Sequence, residues 1–113
     1  MSDERLKNKI EDIVLDIDDI ANAPAIRFTW SKEGYDKKEH IGSYAQYWLD
    51  CLPAVVEEEY GGYYSMQYGQ AALISAISIA KVVTDHDDRI SALEKENELL
   101  KARVAELEER GMA

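Results

Sequence analysis

Arg89-Ile90-Ser91-Ala92-Leu93-Glu94-Lys95-Glu96-Asn97-Glu98-Leu99-Leu100-Lys101-Ala102-Arg103-Val104-Ala105-Glu106-Leu107-Glu108 repeats with a period of seven. Ile90, Asn97 and Val104 take the a positions, and Leu93, Leu100 and Leu107 the d positions, of a seam along which α-helices supercoil. In this register the pairs between g and the following e′ of a neighbour are Arg89–Glu94, Glu96–Lys101 and Arg103–Glu108. All join opposite charges, as a parallel assembly requires, whereas a solvated single helix has no reason to satisfy every one. Asn97 inside the seam reads as a device that sets register and strand number. Ile or Val at a with Leu at d suits a dimer as well as a trimer, so these residues leave the number of strands open.

Upstream of the heptads, Thr84-Asp85-His86-Asp87-Asp88 interrupts the hydrophobicity. His86 falls at a d position inside this break; a solvated polar residue is the simpler account of it, a pH-sensing or metal-binding role the other. Before the break, Ala71 to Val83 is rich in Ala, Ile, Leu and Ser, as befits a helix packed on a small domain. From about Gln70 neither Pro nor Gly occurs until Gly111, which predicts one helix of roughly 40 residues and about 60 Å. The chain therefore divides into a compact part, residues 1–83, which includes the start of the long helix, and a coiled coil, residues 84–113.

In the compact part, Leu6, Ile10, Ile13, Val14, Ile17 and Ile20 or Ala21 recur at three and four residues, which predicts an amphipathic helix. Ser2 or Asp3 is its expected N-cap, and Pro24 ends it. Ile26, Phe28 and Trp30 alternate with Arg27 and Thr29 as in a half-buried strand, and the polar segment from Ser31 to Glu39 is a loop. Ile41, Tyr44, Ala45, Trp48, Leu49 and Leu52 form a second helical stripe stopped by Pro53. Gly61-Gly62 marks a turn, and Tyr64, Met66 and Tyr68 fall on one side of a second strand. The expected core gathers Ile26, Phe28, Trp48, Leu49 and Tyr68. The expected fold class is α+β and mainly helical: a small domain with short strands, then a long C-terminal helix in a parallel coiled coil.

Composition excludes several functions. The net charge is −10, from 23 acidic against 13 basic residues, so there is no basic patch for nucleic acid or for an anionic membrane. No run of about 18 apolar residues occurs, and the N-terminus lacks the basic-then-apolar layout of a signal peptide. Cys51 is the only cysteine and lies in an apolar helical stretch, where it serves as a small core residue; no internal disulfide can form. No phosphate-binding glycine loop, Cys/His cluster or paired catalytic acids appear, and no cofactor or metal is expected. A compact part of about 80 residues is near the lower limit for an independent core, and association of copies is the expected supplement.

Ser2 and Lys7 are the candidate pair for chemistry. A Ser–Lys dyad needs a neutral amine to take the hydroxyl proton, and the lysine reference pKa of about 10.4 must fall through burial for that. Lys7, beside Leu6 and one turn from Ile10, stands at the edge of the apolar stripe. On a continuous α-helix, however, residues five apart lie about 140° apart and share no face. Ser2 would have to bend back from an extended segment, or meet Lys7 of a neighbouring chain. A helix cap followed by a surface lysine is the plain structural alternative.

Three segments occur in one order along nearly the whole chain: Met1-Ser2-Asp3-Glu4-Arg5-Leu6-Lys7, then His40-Ile41-Gly42 with Ala45-Gln46, then Tyr64-Ser65-Met66-Gln67-Tyr68. Together they resemble the C-terminal intramolecular chaperone and autoprotease domain of phage tail spikes and fibres, of the endosialidase type. The resemblance implies that Ser2 attacks the Met1–Ser2 bond with Lys7 as base, in a single turnover, and that His40 assists cleavage or folding. It implies a homotrimer that helps an upstream triple β-helix of the same polypeptide to fold. It also implies a site of action in the host cytoplasm during virion assembly, and release from the mature fibre. The chain then reads as the product left after cleavage. ATP binds some relatives, but no residue pattern here supports it. The alternative from a different class is a non-enzymatic trimerisation or adaptor module in which Ser2 is only a cap.

Overall fold

The computed structural model describes residues 2–112. A single 3-10 turn, Glu4–Leu6, opens the chain, capped by Asp3, whose carboxylate accepts the Arg5 amide. Helix α1, Ile17–Ala21, follows with Asp16 as its cap. Strands β1, Ile26–Phe28, and β2, His40–Gly42, pair antiparallel, with Ile26 opposite Gly42 and Phe28 opposite His40. Helix α2, Ala45–Cys51, leads through a short turn at Pro53–Val55 into β3, Val56–Glu58. Strand β4, Tyr64–Met66, pairs antiparallel with β3, and α3, Tyr68–Met112, is one unbroken helix. Contacts divide the chain into two units, Met1–Ser78 and Ile79–Ala113.

The expected first helix is not continuous. Residues 7–16 have no regular secondary structure, and only Ile17–Ala21 is α-helical. Asp3 and Asp16 start two separate turns, and between them Ile10 is 96% exposed. An amphipathic helix gains most of its stability from packing its apolar face. In the single chain the stripe from Leu6 to Ile17 stays exposed, while Ile20, inside the short helix that does form, packs against the core. The residue of this segment that is buried is Leu15, which lies off the stripe; its amide donates to Ser78 Oγ at 2.9 Å.

Two further boundaries move. Ile41 belongs to β2, 84% exposed, and not to the second helical stripe. Val56 begins a strand instead of only leading into the Glu57-Glu58-Glu59 run. The Gly61-Gly62 turn is where expected, and both glycines adopt positive φ, 90° and 80°, which side-chain-bearing residues resist. The core consists of Leu15, Trp48, Leu52, Val55 and Ala71, with Ile20, Tyr47, Cys51, Val56, Met66 and Ile74 packed around it. Of the expected core residues only Trp48 is fully buried; Ile26, Phe28 and Leu49 are half-buried, and Tyr68 is half exposed because it opens α3 and does not extend β4.

Candidate functional site

The N-terminal turn sets the geometry of Ser2 and Lys7. Leu6 N–H bonds the Asp3 carbonyl and Lys7 N–H the Glu4 carbonyl, both at 3.1 Å, while Asp3 and Lys7 themselves are extended. Residues 2–7 are therefore a tight turn between extended flanks, and the 140° separation of a continuous helix does not apply. Arg5 holds the Asp3 carboxylate through Nε and Nη2, with the shortest contact at 2.6 Å, and these bonds lower the Asp3 pKa. Ser2 and Lys7 are both exposed in the single chain, and the side-chain hydrogen bonds among the described residues include none between them. Met1, the other half of the expected scissile bond, lies outside the described residues.

His40 is neither solvated in a loop nor a helix cap. It sits half-buried on β2 and its Nε2 is 2.8 Å from Asp36 Oδ1. The same Asp36 oxygen accepts the Lys38 amide at 2.9 Å. The His40 contact first, and this amide second, hold the Asp36 carboxyl below its ordinary range. Aromatic rings surround the imidazole, with centroid distances of 5.6 Å to Phe28 and 5.9 Å to Trp30, and Tyr35 packs on Trp30 at 5.1 Å. The spacing Asp36-x-x-x-His40 was present in the sequence, but without the hairpin nothing marked it as a contact.

The segment after His40 has a structural role that residue types alone did not reveal. Trp48 Nε1 donates to Ser43 Oγ at 2.9 Å, and Ser43 N–H donates to Tyr68 Oη at 3.3 Å. Gly42 lies so close beneath this ring that a Cβ would come within 2.5 Å of Tyr68 Oη. Gly42, Ser43, Trp48 and Tyr68 thus tie β2, α2 and the start of α3 together.

On α3 every apolar heptad residue is open to solvent in the single chain, from Ile90 at 53% and Leu93 at 62% to Leu107 at 49%. Asn97 shares that exposed face. Elsewhere on the same helix Ala71 and Ser78 are buried and Ile74 half-buried against the small domain.

Residues 2–57 match the family model described as chaperone of endosialidase. Over these residues the chain belongs to the endosialidase chaperone family. The match contains Ser2, Lys7, Asp36, His40 and the Gly42–Gln46 segment, and it ends before Tyr64–Tyr68 and the heptads. The family supports an intramolecular chaperone role, and its name also sets it in a peptidase context. No curated protein and no solved structure matches the chain. Among the described residues no group of His, Cys, Asp and Glu within one chain is disposed to hold a metal, and no helix is long and apolar enough to cross a membrane.

Proposed function

We propose that this chaperone domain trimerises in parallel through α3, assists folding of an upstream phage fibre or spike, and frees itself by cleavage just before Ser2. The observation that carries the reading is the joint presence of a family match opening at Ser2 and an uncovered a/d seam on α3. Chains aligned by the seam lose much of the entropy that otherwise opposes interwinding of fibre strands. Cleavage then removes the helper and leaves the fibre kinetically trapped.

In this scheme Ser2 Oγ attacks the carbonyl carbon of the preceding residue as Lys7 Nζ takes the hydroxyl proton. The C–N bond to Ser2 breaks as the ester forms, with that proton passing to the Ser2 nitrogen. Water then hydrolyses the ester to release the upstream carboxylate and restore the Ser2 hydroxyl. Lys7 is exposed in the single chain, and in this scheme a neighbouring chain or the fibre covers it. A fusion with upstream fibre residues tests this. Ser2→Ala and Lys7→Ala should each abolish cleavage and leave trimers intact, and the double variant should be no worse than either single change. Lys7→Arg should be inactive, since a guanidinium keeps its proton near neutral pH. Normal processing of Lys7→Arg would remove lysine as the base.

A second reading, a non-enzymatic trimerisation module, is favoured by the exposure of both dyad residues and by the complete cap that Asp3 and Arg5 make without them. Under it the same fusion stays intact with wild-type Ser2 and Lys7.

A further inference from the structure

Because α3 is unbroken from Tyr68 to Met112, the heptad phase set by Ile90 extends upstream without a stutter. Ile79 falls at d, Val83 at a and His86 at d, directly before Ile90 at a. Val83 is 58% exposed and Ile79 38%, so the open apolar stripe continues on both sides of His86. His86 and Asn97 are the only polar residues of that stripe between Ile79 and Leu107. Thr84 does not compete for the position: its hydroxyl donates to the Ala80 carbonyl of its own helix at 3.0 Å.

We infer that His86 is a metal-binding layer of the assembled coiled coil, in which one imidazole from each of three copies ligates a divalent transition-metal ion of the zinc type. This rests on the trimer reading, because a single chain offers one imidazole there and the site is incomplete without its copies.

In a parallel assembly, residues at one d position meet at the axis. Imidazoles enclosed between Val83 and Ile90 layers lose water, and an unpartnered polar ring in such a place is costly. An ion on the axis satisfies every ring at once. Three histidine nitrogens with a fourth position left to water are a recurrent zinc arrangement. The surrounding charge selects a cation: Asp85, Asp87 and Asp88 stand on either side of His86 in each chain. Arg89 is the one nearby base, and it already faces Asp85 at 3.9 Å. Asp87 occupies e, beside the seam, where a carboxylate can receive the other ring N–H of a neighbouring copy and fix its orientation. The acids tune the site, and the histidines are its ligands.

The test uses the full chain stripped with EDTA and titrated with zinc chloride in a calorimeter, with sedimentation equilibrium run beside it. Expected are saturation at one zinc per three chains and a Tm raised by several degrees. His86→Leu, which places an ordinary d residue in the layer, should remain trimeric and lose both effects. His40→Ala should keep the one-to-three stoichiometry. A stripped chain that is trimeric yet takes up no zinc overturns the metal site and leaves the trimer reading standing. Binding retained by His86→Leu, or saturation at one zinc per chain, overturns it equally. A stripped chain that is monomeric or dimeric overturns both.

Discussion

Trp48 buries its ring in the core while its one polar atom, Nε1, is satisfied by Ser43 Oγ. Its loss removes a large apolar group and strands a hydroxyl, so Trp48→Ala should destabilise the domain by about 3–5 kcal/mol in chemical denaturation. Gly42 is the other closely packed position. Its added methyl must displace Tyr68, whose ring lies 3.1 Å from the Cβ position and whose hydroxyl is held by Ser43. Gly42→Ala should therefore cost about 1–3 kcal/mol, as overpacking does. In a Tyr68→Phe background the penalty should shrink, since the closest atom is gone; equal penalties in both backgrounds would contradict the clamp. Cys51 supplies a chemical check on the same core. Burial first, and the Asp19 charge second, raise its thiol pKa, so the thiolate is scarcer in the folded chain than in the unfolded one. Alkylation at mildly alkaline pH should run several-fold slower in buffer than in denaturant. Comparable rates would place the thiol in water.

The elements show how far the residues could be read and where they could not. The long helix, the Gly61-Gly62 turn and the β1 strand were legible because each depends on local rules: absence of breakers, a positive φ, alternation. The first helix was not. The stripe from Leu6 to Ile17 is periodic, yet periodicity states only that a helix could bury one face, and Leu15 outside the stripe found the core instead. Leu15 is fixed there by Ser78, 63 residues along the chain, and no local pattern encodes that bond. Ser78→Ala would leave the Leu15 amide buried without an acceptor and should cost about 1–3 kcal/mol, with faster exchange of that amide as the local readout. In the candidate site, Ser2, Lys7 and His40 came from residue types and family order, whereas Asp36 required the β1–β2 hairpin to bring it to the imidazole. The sign of its pKa shift fixes the pH behaviour. A carboxyl whose folded pKa is lowered contributes stability above its unfolded value and loses it as pH falls through the folded one. Asp36→Asn should therefore lower stability at neutral and alkaline pH, where the carboxylate is charged, and converge with the parent as pH falls through the low end of the carboxylate range. A mutant whose melting profile parallels that of the parent at every pH would remove the Asp36 carboxylate from the account.

At the scale of the whole molecule, the core of unit Met1–Ser78 is small, and much of the apolar surface of the single chain remains uncovered. Ile10, Leu93, Leu99 and Val104 illustrate it. Domains of this size commonly depend on association, and folding coupled to association makes Tm a function of concentration. Three chains of 12.8 kDa give an assembly of about 38 kDa, and two give about 26 kDa, a difference that sedimentation equilibrium resolves readily. The full chain should sediment at the higher value, and its Tm should rise by several degrees when the concentration is raised about 100-fold. Removing residues 84–113 takes away the matched Arg89–Glu94, Glu96–Lys101 and Arg103–Glu108 pairs together with the seam they flank. The shortened chain should be monomeric, melt at lower temperature and lose the concentration dependence. The added salt bridges alone cannot produce such a change, since exposed pairs contribute about 0–1 kcal/mol each. A full chain of about 38 kDa whose Tm ignores concentration would mean that the small domain folds first and the coiled coil only joins finished domains. A full chain of about 26 kDa would assign the Ile/Val–Leu seam, with Asn97 inside it, to two strands.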